Sequence, residues 1–82
     1  MIRMGKQTER SPSDVIDRAV AFFGPSGWGL EIMDRDDCRA RFYGAGGYVS
    51  VLTANVESKR GWLVTVEGRE WESQIQQFVI NI

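Results

Sequence analysis

Any chemistry in this 82-residue chain must be done without histidine, because the chain has none. Ser-His-Asp and Cys-His hydrolases are therefore excluded, as are zinc sites built on imidazole. The side chains left that could react or ligate fall into four groups. Cys38 is the lone cysteine and has no histidine to activate it. It sits in alternation with Ala40 and Phe42, which reads as a small buried hydrophobe, although Arg39 beside it would lower a thiol pKa modestly. The run Asp34-Arg35-Asp36-Asp37 suggests a cation loop. A calcium-binding EF-hand loop starting at Asp34 would need Gly at its sixth position and Glu at its twelfth, where this chain has Arg39 and Ala45. A solvated acidic hairpin is the simpler reading. The run Gly44-Ala45-Gly46-Gly47 has the composition of a phosphate cradle. Phosphate loops lead into a helix N-terminus, whereas this run joins two strand-like segments and so reads as a hairpin turn. Glu31, Glu67, Glu70 and Glu72 include carboxylates enough for a general acid and base, but their spacing does not distinguish a pair from surface charge. No catalytic, cofactor-binding or metal-ligating residue is assigned, and a non-enzymatic protein is expected.

Ten Lys+Arg against eleven Asp+Glu leave a net charge of −1. That balance, with an acidic pI of about 5.3, argues against duplex DNA as a partner, since duplex binding draws on counterion release by a basic surface. One domain spanning 1–82 is expected, close to the smallest size that a core sustains without staples. A single thiol provides no internal disulfide. The apolar runs Ala19–Phe23 and Phe78–Ile80 fall far short of the ~20 residues that span a bilayer. The N-terminal Met1–Gln7 has positive charge but no apolar core of a signal peptide. A cytoplasmic protein with no membrane partner is the expectation.

The elements that would position these residues are legible in the spacing. Ile2–Arg10 reads as a short strand with Ile2, Met4 and Lys6 on one side. Ser11-Pro12-Ser13-Asp14 is a helix start: Ser at the N-cap, Pro at the first helical position, and Asp placed to reach back to the cap. Val15, Ala19, Phe22 and Phe23 then follow at helical spacing, widened by Ile16 and Val20. Gly24, as a left-handed C-terminal residue, and Pro25 end this helix at Phe23. Strands are expected at Leu30–Asp34, Cys38–Tyr43, Tyr48–Val56 and Trp62–Glu67, with a charged turn at Glu57–Gly61. A second helix over about Glu70–Ile80 places Trp71, Ile75, Phe78 and Ile82 on one stripe. The order β-α-β-β-β-β-α implies an α+β two-layer sandwich. Its antiparallel sheet has about five strands, two helices cover one face, and the other face is bare.

That order resembles one half-repeat of the TATA-binding-protein-like fold, and it is similar to a minimal helix-grip arrangement of the START and polyketide-cyclase type. The segments Val20–Gly24, Gly27–Leu30, Phe42–Val49 and Arg69–Trp71 resemble a group of small uncharacterised prokaryotic proteins. The resemblance implies a fold and carries no catalytic residue. A homodimer would rebuild the two-repeat saddle in shape, without its electrostatics.

The bare face is where a partner is expected. Arg39, Arg41 and Tyr43 point outward if Ala40 and Phe42 point in, and Leu63 and Thr65 point outward if Val64 and Val66 point in. In the Tyr48 strand the period leaves open whether Tyr48, Ser50, Leu52 and Ala54 or Val49, Val51 and Thr53 are buried. Either choice leaves apolar side chains outside. Trp28, between two glycines, is a further candidate, either anchoring a partner or folding back over the core. Three uses follow: a self-associating interaction module working through the open face or an edge strand; a small apolar-ligand site between sheet and helices, lined by Trp28, Trp62, Trp71, Phe22 and Tyr48; and a weak single-stranded nucleic-acid platform on Tyr43, Arg39 and Arg41.

Overall fold

The computed structural model describes residues 1–55 and 61–82. The sequence reading of Val56 as a strand end and of 57–60 as a turn lies outside the described residues. Seven elements follow in the order β1 (Ile2–Thr8), α1 (Pro12–Phe23), β2 (Glu31–Arg35), β3 (Arg39–Gly44), β4 (Gly47–Asn55), β5 (Trp62–Arg69) and α2 (Glu72–Asn81). The five strands form one antiparallel sheet in the spatial order β1-β5-β4-β3-β2. Helix α1 packs on β3 and β4, and α2 packs on β1 and β5, giving the two-layer α+β sandwich.

Helix α1 starts and stops as its residues dictate. Ser11 Oγ accepts a hydrogen bond from the Asp14 backbone N–H at 3.2 Å, which satisfies one orphan amide. The Asp14 carboxylate does not complete a capping box. It lies between Arg18 Nε at 3.1 Å and Arg10 Nη1 at 3.3 Å, and the Arg18 hydrogen bond leads in holding its carboxyl below the ordinary value of 3.8. At the other end, Gly24 differs from expectation: its φ is −71°, so it is not left-handed. A glycine is needed there for space, since a Cβ would come within 2.4 Å of the Val20 carbonyl oxygen. The last carbonyls of α1 are taken by the loop that follows, with Trp28 N–H donating to Phe22 O at 2.9 Å and Leu30 N–H to Phe23 O at 3.0 Å.

Helix α2 begins two residues later than the spacing suggests. Glu70 has φ +72°, and this left-handed step turns the chain out of β5 before Trp71 takes the cap position. The stripe itself is as read: Ile75, Phe78 and Val79 are buried, with Trp71 and Ile82 packed against them. At its C-terminal end Lys6 Nζ donates to the Ile80 carbonyl at 3.2 Å, a cation at the negative end of the dipole.

Between the layers lie Val15, Ile16, Ala19 and Phe23 of α1, the strand residues Ala40, Phe42, Val49, Val51, Val64 and Val66, and Ile75, Phe78 and Val79 of α2. Phe23 is its centre, with ring centroids 5.6 Å from Phe42 and 5.3 Å from Phe78. The open question in β4 is settled by this packing. Val49, Val51 and Thr53 are buried, so Tyr48, Ser50, Leu52 and Ala54 belong to the outer face. Cys38 corrects the sequence reading. It precedes β3, outside the alternation of Ala40 and Phe42, and is exposed.

Candidate functional site

The outer face of the sheet is covered by neither helix, and its layout follows from register. Directly opposed residues in an antiparallel sheet share a face, so the outward side chains form rows across the strands. One row is Glu31, Tyr43, Tyr48 and Arg69, on β2, β3, β4 and β5. The next is Asp34, Arg41, Ser50, Glu67 and Arg3, crossing all five strands. A third is Arg39, Leu52, Thr65 and Gly5. The two-residue turn Ala45-Gly46 fixes this register, with positive φ at both positions (51° and 76°), the signature of a type I′ hairpin. The glycine run is therefore a turn between strands.

Five of the six residues expected at a partner surface come together here: Arg39, Arg41 and Tyr43 on β3, and Leu63 and Thr65 on β5. The sixth does not. Trp28 lies in the α1–β2 loop with its ring 6.2 Å from Trp71, edge to face, while Trp71 Nε1 donates to the Gly44 carbonyl at 3.0 Å. It thus closes one end of the sandwich and remains 49% exposed. Tyr48, Ser50, Leu52, Arg3, Asp34 and Glu67 are face residues that the expected set lacks. The turn was the available signal for those on β4: a two-residue hairpin opposes Tyr43 to Tyr48, so an outward Tyr43 requires an outward Tyr48.

The face is apolar and charged together. Tyr43, Leu52 and Leu63 are 50%, 44% and 39% exposed on it. Tyr48 donates its hydroxyl to Met1 Sδ at 3.2 Å. Arg41 Nη2 meets Asp34 Oδ2 at 3.1 Å, and Arg39 stands 4.0 Å from Asp34 and 3.8 Å from Asp36. Two shallow hollows mark the surface. One, of about 200 Å³, is lined by Arg3, Arg39, Ser50, Leu52, Thr65 and Glu67; the other, of about 140 Å³, lies between Met33, Arg41, Tyr43 and Tyr48.

The remaining chemical candidates are dispersed by the fold. Asp34 points to the outer face, Arg35 points inward to an ion pair with Asp17 of α1, and Asp36 lies in the turn. Asp36 Oδ1 accepts from the Cys38 and Arg39 amides at 3.0 and 2.9 Å, and the Cys38 amide leads in holding the Asp36 carboxyl below its usual value. The run is an Asx-type turn with the Asp34 and Asp36 carboxylates already engaged, and no cluster of three candidate metal ligands occurs among the described residues. Desolvation, then the Asp36 carboxylate, pushes the Cys38 thiol upward, which outweighs Arg39 and disfavours the thiolate. Glu31 and Glu67 lie on β2 and β5, three strand spacings apart, about 14 Å, too far for an acid–base pair.

The apolar lining expected between sheet and helices is also dispersed. Tyr48 is on the outer face and Trp28 pairs with Trp71 at one end. Phe22 instead borders an open groove of about 300 Å³ between the helices, with Phe78, Ile82 and Arg18. No family model matches the chain, and no curated protein or solved structure matches it significantly. Among the described residues no helix is long and apolar enough to cross a membrane.

Proposed function

We propose that this protein is a non-enzymatic interaction module whose working surface is the outer face of the sheet, and that it self-associates through that face. The observation that carries the reading is the set Tyr43, Leu52 and Leu63, large apolar side chains left substantially exposed on the sheet face that neither helix covers. Exposed apolar side chains of this size on the uncovered face of a small domain are characteristic of a binding site; Leu52 and Leu63 are diagonal neighbours on β4 and β5, and the row from Asp34 to Arg3 lies between them and Tyr43. Its composition supports a protein partner. Among the described residues the face carries Tyr, Leu and four arginines (Arg3, Arg39, Arg41 and Arg69) and no lysine, the bias of protein interfaces toward aromatics and Arg over Lys.

The edges of the sheet are poor alternatives. Strand β2 is bulged between Ile32 and Asp34, and β1 points Lys6 inward toward α2. Bulges and inward charges are the devices that stop strand-to-strand addition. A face about 24 Å wide and about 20 Å long buries on the order of 1,000 Å² in total when doubled, near the lower bound for a specific complex. The association is therefore a concentration-dependent equilibrium.

Sedimentation analysis from about 1 µM to about 1 mM tests the reading. The expected result is a mass that rises from 9.3 kDa toward twice that value, and a Leu52→Asp variant that stays monomeric. A wild-type chain that remains a monomer throughout overturns self-association. A second reading rests on the cross-strand pair Tyr43 and Tyr48 with Arg41 and Arg69 nearby, a stacking platform for single-stranded nucleic acid. Glu31, Asp34 and Glu67 on the same face oppose it, and salt-sensitive oligonucleotide binding by a monomer would favour it.

A further inference from the structure

The five-residue row across the middle of the outer face has an order of charge that a second copy of the chain can read. From β2 to β1 it runs Asp34, Arg41, Ser50, Glu67, Arg3: acid, base, neutral, acid, base. The sequence is antisymmetric about Ser50 on β4. Lateral pairing within one sheet accounts for opposite signs at neighbouring positions, as in the 3.1 Å contact of Arg41 with Asp34. It does not set the order of the two pairs relative to each other. Had Glu67 and Arg3 been exchanged, each would still face an opposite charge across the strand, but the antisymmetry would be gone.

We infer that the self-associated form is a face-to-face dimer whose two-fold axis runs along β4. The inference rests on the reading of the open face as a self-association surface and adds its geometry. Rotation about that axis exchanges β3 with β5 and β2 with β1 while keeping each row at its own level. Arg41 is then placed over the partner's Glu67 and Asp34 over the partner's Arg3, and each pairing occurs twice. Ser50 meets the partner's Ser50 on the axis. The row above sets Tyr43 over the partner's Arg69, a cation–π arrangement, and the row below sets Leu52 against the partner's Leu52. A two-fold axis across the strands does the opposite. If it passes through the charged row, it stacks Arg41 on the partner's Arg41 and Glu67 on the partner's Glu67, and like charges facing one another are costly.

The relief of the surface agrees with this axis. The hollow of about 200 Å³ reaches from Arg39 on β3 to Arg3 on β1 and crosses the axis at Ser50 and Leu52. Ser50, the small residue at the centre of the charged row, leaves room on the axis, and packed sheets lie about 10 Å apart, a gap that an arginine and a facing glutamate bridge from opposite sides. Packed sheets cross at about 30°, so facing residues drift out of register by about 2.5 Å one strand from the axis and about 5 Å two strands from it. The Arg41 pairing therefore carries more of the specificity than the Asp34 pairing.

The test is complementation between two variants. Arg41→Glu alone opposes two acids at each contact, and Glu67→Arg alone opposes two bases, so each is expected to raise the dimer dissociation constant about tenfold or more. An equimolar mixture restores both pairings in the heterodimer without changing either monomer. Its dissociation constant is expected to return to within about threefold of wild type. Native mass spectrometry separates the heterodimer from both homodimers by mass, and circular dichroism melts verify that each variant is folded. Asp34→Arg mixed with Arg3→Glu repeats the logic on the outer pair, with a smaller expected effect. It also serves if either inner variant does not fold. A wild-type dimer whose variants show no preference for the mixture overturns the axis and leaves face association standing. A wild-type monomer at every concentration overturns both.

Discussion

The two faces of the sheet are made by the same strands and differ in almost everything else. Toward the helices β3, β4 and β5 present Ala40, Phe42, Val49, Val51, Val64 and Val66, all buried. Toward the outside the same strands alternate Arg39, Arg41, Tyr48, Ser50, Leu52 and Thr65. The inner face needs shape and apolar volume, because each side chain there is held by neighbours on two layers. The outer face mixes ordered charge with exposed apolar side chains, and no helix among the described residues covers it. An inner position is therefore read through stability and, on the proposed function, an outer one through association, and substitutions placed in pairs separate the two.

The largest expected contrast is between Phe23 and Leu52. Phe23 touches the rings of Phe22, Phe42 and Phe78 with no exposed surface. Phe23→Ala opens a cavity that little can fill and should cost about 3–5 kcal/mol, enough to unfold much of a domain this small. Leu52→Ala removes a side chain already 44% exposed. It should change the stability of the monomer by only about 0.5 kcal/mol while weakening self-association. Urea titrations at low protein concentration read the first quantity, and sedimentation reads the second. Equal stability losses at the two sites would end the distinction between the faces.

A smaller contrast uses two glycines. Gly68 is an inner-face residue, and a Cβ there would lie 2.4 Å from the Tyr48 carbonyl oxygen and 2.7 Å from Ile75 Cδ1. Gly68→Ala pushes α2 away from the sheet and should cost about 1–3 kcal/mol. Gly5 is an outer-face residue on β1, opposite Thr65. Its added Cβ would make only ordinary contacts, at 3.7 Å to Leu63 Cδ1 and 3.8 Å to Val64 O. Gly5→Ala should be neutral or slightly stabilising, by up to about 0.5 kcal/mol, through the entropy of the unfolded chain. Thermal melts of the two single variants decide it. A destabilising Gly5→Ala would mean that the outer face is packed as tightly as the inner.

Much of the inner face was legible in the sequence because burial leaves a periodic mark. Val15, Ala19 and Phe23 on α1 and Val64 and Val66 on β5 recur at the spacing of their elements, and the Ser11–Pro12 start is local chemistry. The helix boundary at Trp71 was not legible, because it depends on the left-handed φ of Glu70, a residue type with no preference for that region. Cys38 was misplaced because the hairpin before β3 closes through Asp36, whose carboxylate takes the Cys38 and Arg39 amides and moves the strand start by one residue. The row from Asp34 to Arg3 was hidden for a different reason. Its members are far apart in sequence, and only the registers of four strand pairs bring them into line.

The smallest effect concerns the turn that decides which face each residue of β3 and β4 joins. Ala45 holds φ 51° in the two-residue turn, a left-handed conformation that a Cβ disfavours by about 1–2 kcal/mol. Ala45→Gly relieves that strain, and against it stands the greater freedom that glycine has in the unfolded chain, about 0.5–1 kcal/mol. The balance favours the variant by about 0.5–1 kcal/mol, a rise of about 2–8 °C in the midpoint of a melt for a domain this size. Association should not change, because Tyr43 stays opposite Tyr48 and every row of the outer face keeps its order. A variant that gains stability but loses the dimer would place the turn itself in the interface. One that loses stability would show that the methyl group of Ala45 is held by contacts that outweigh its strained backbone.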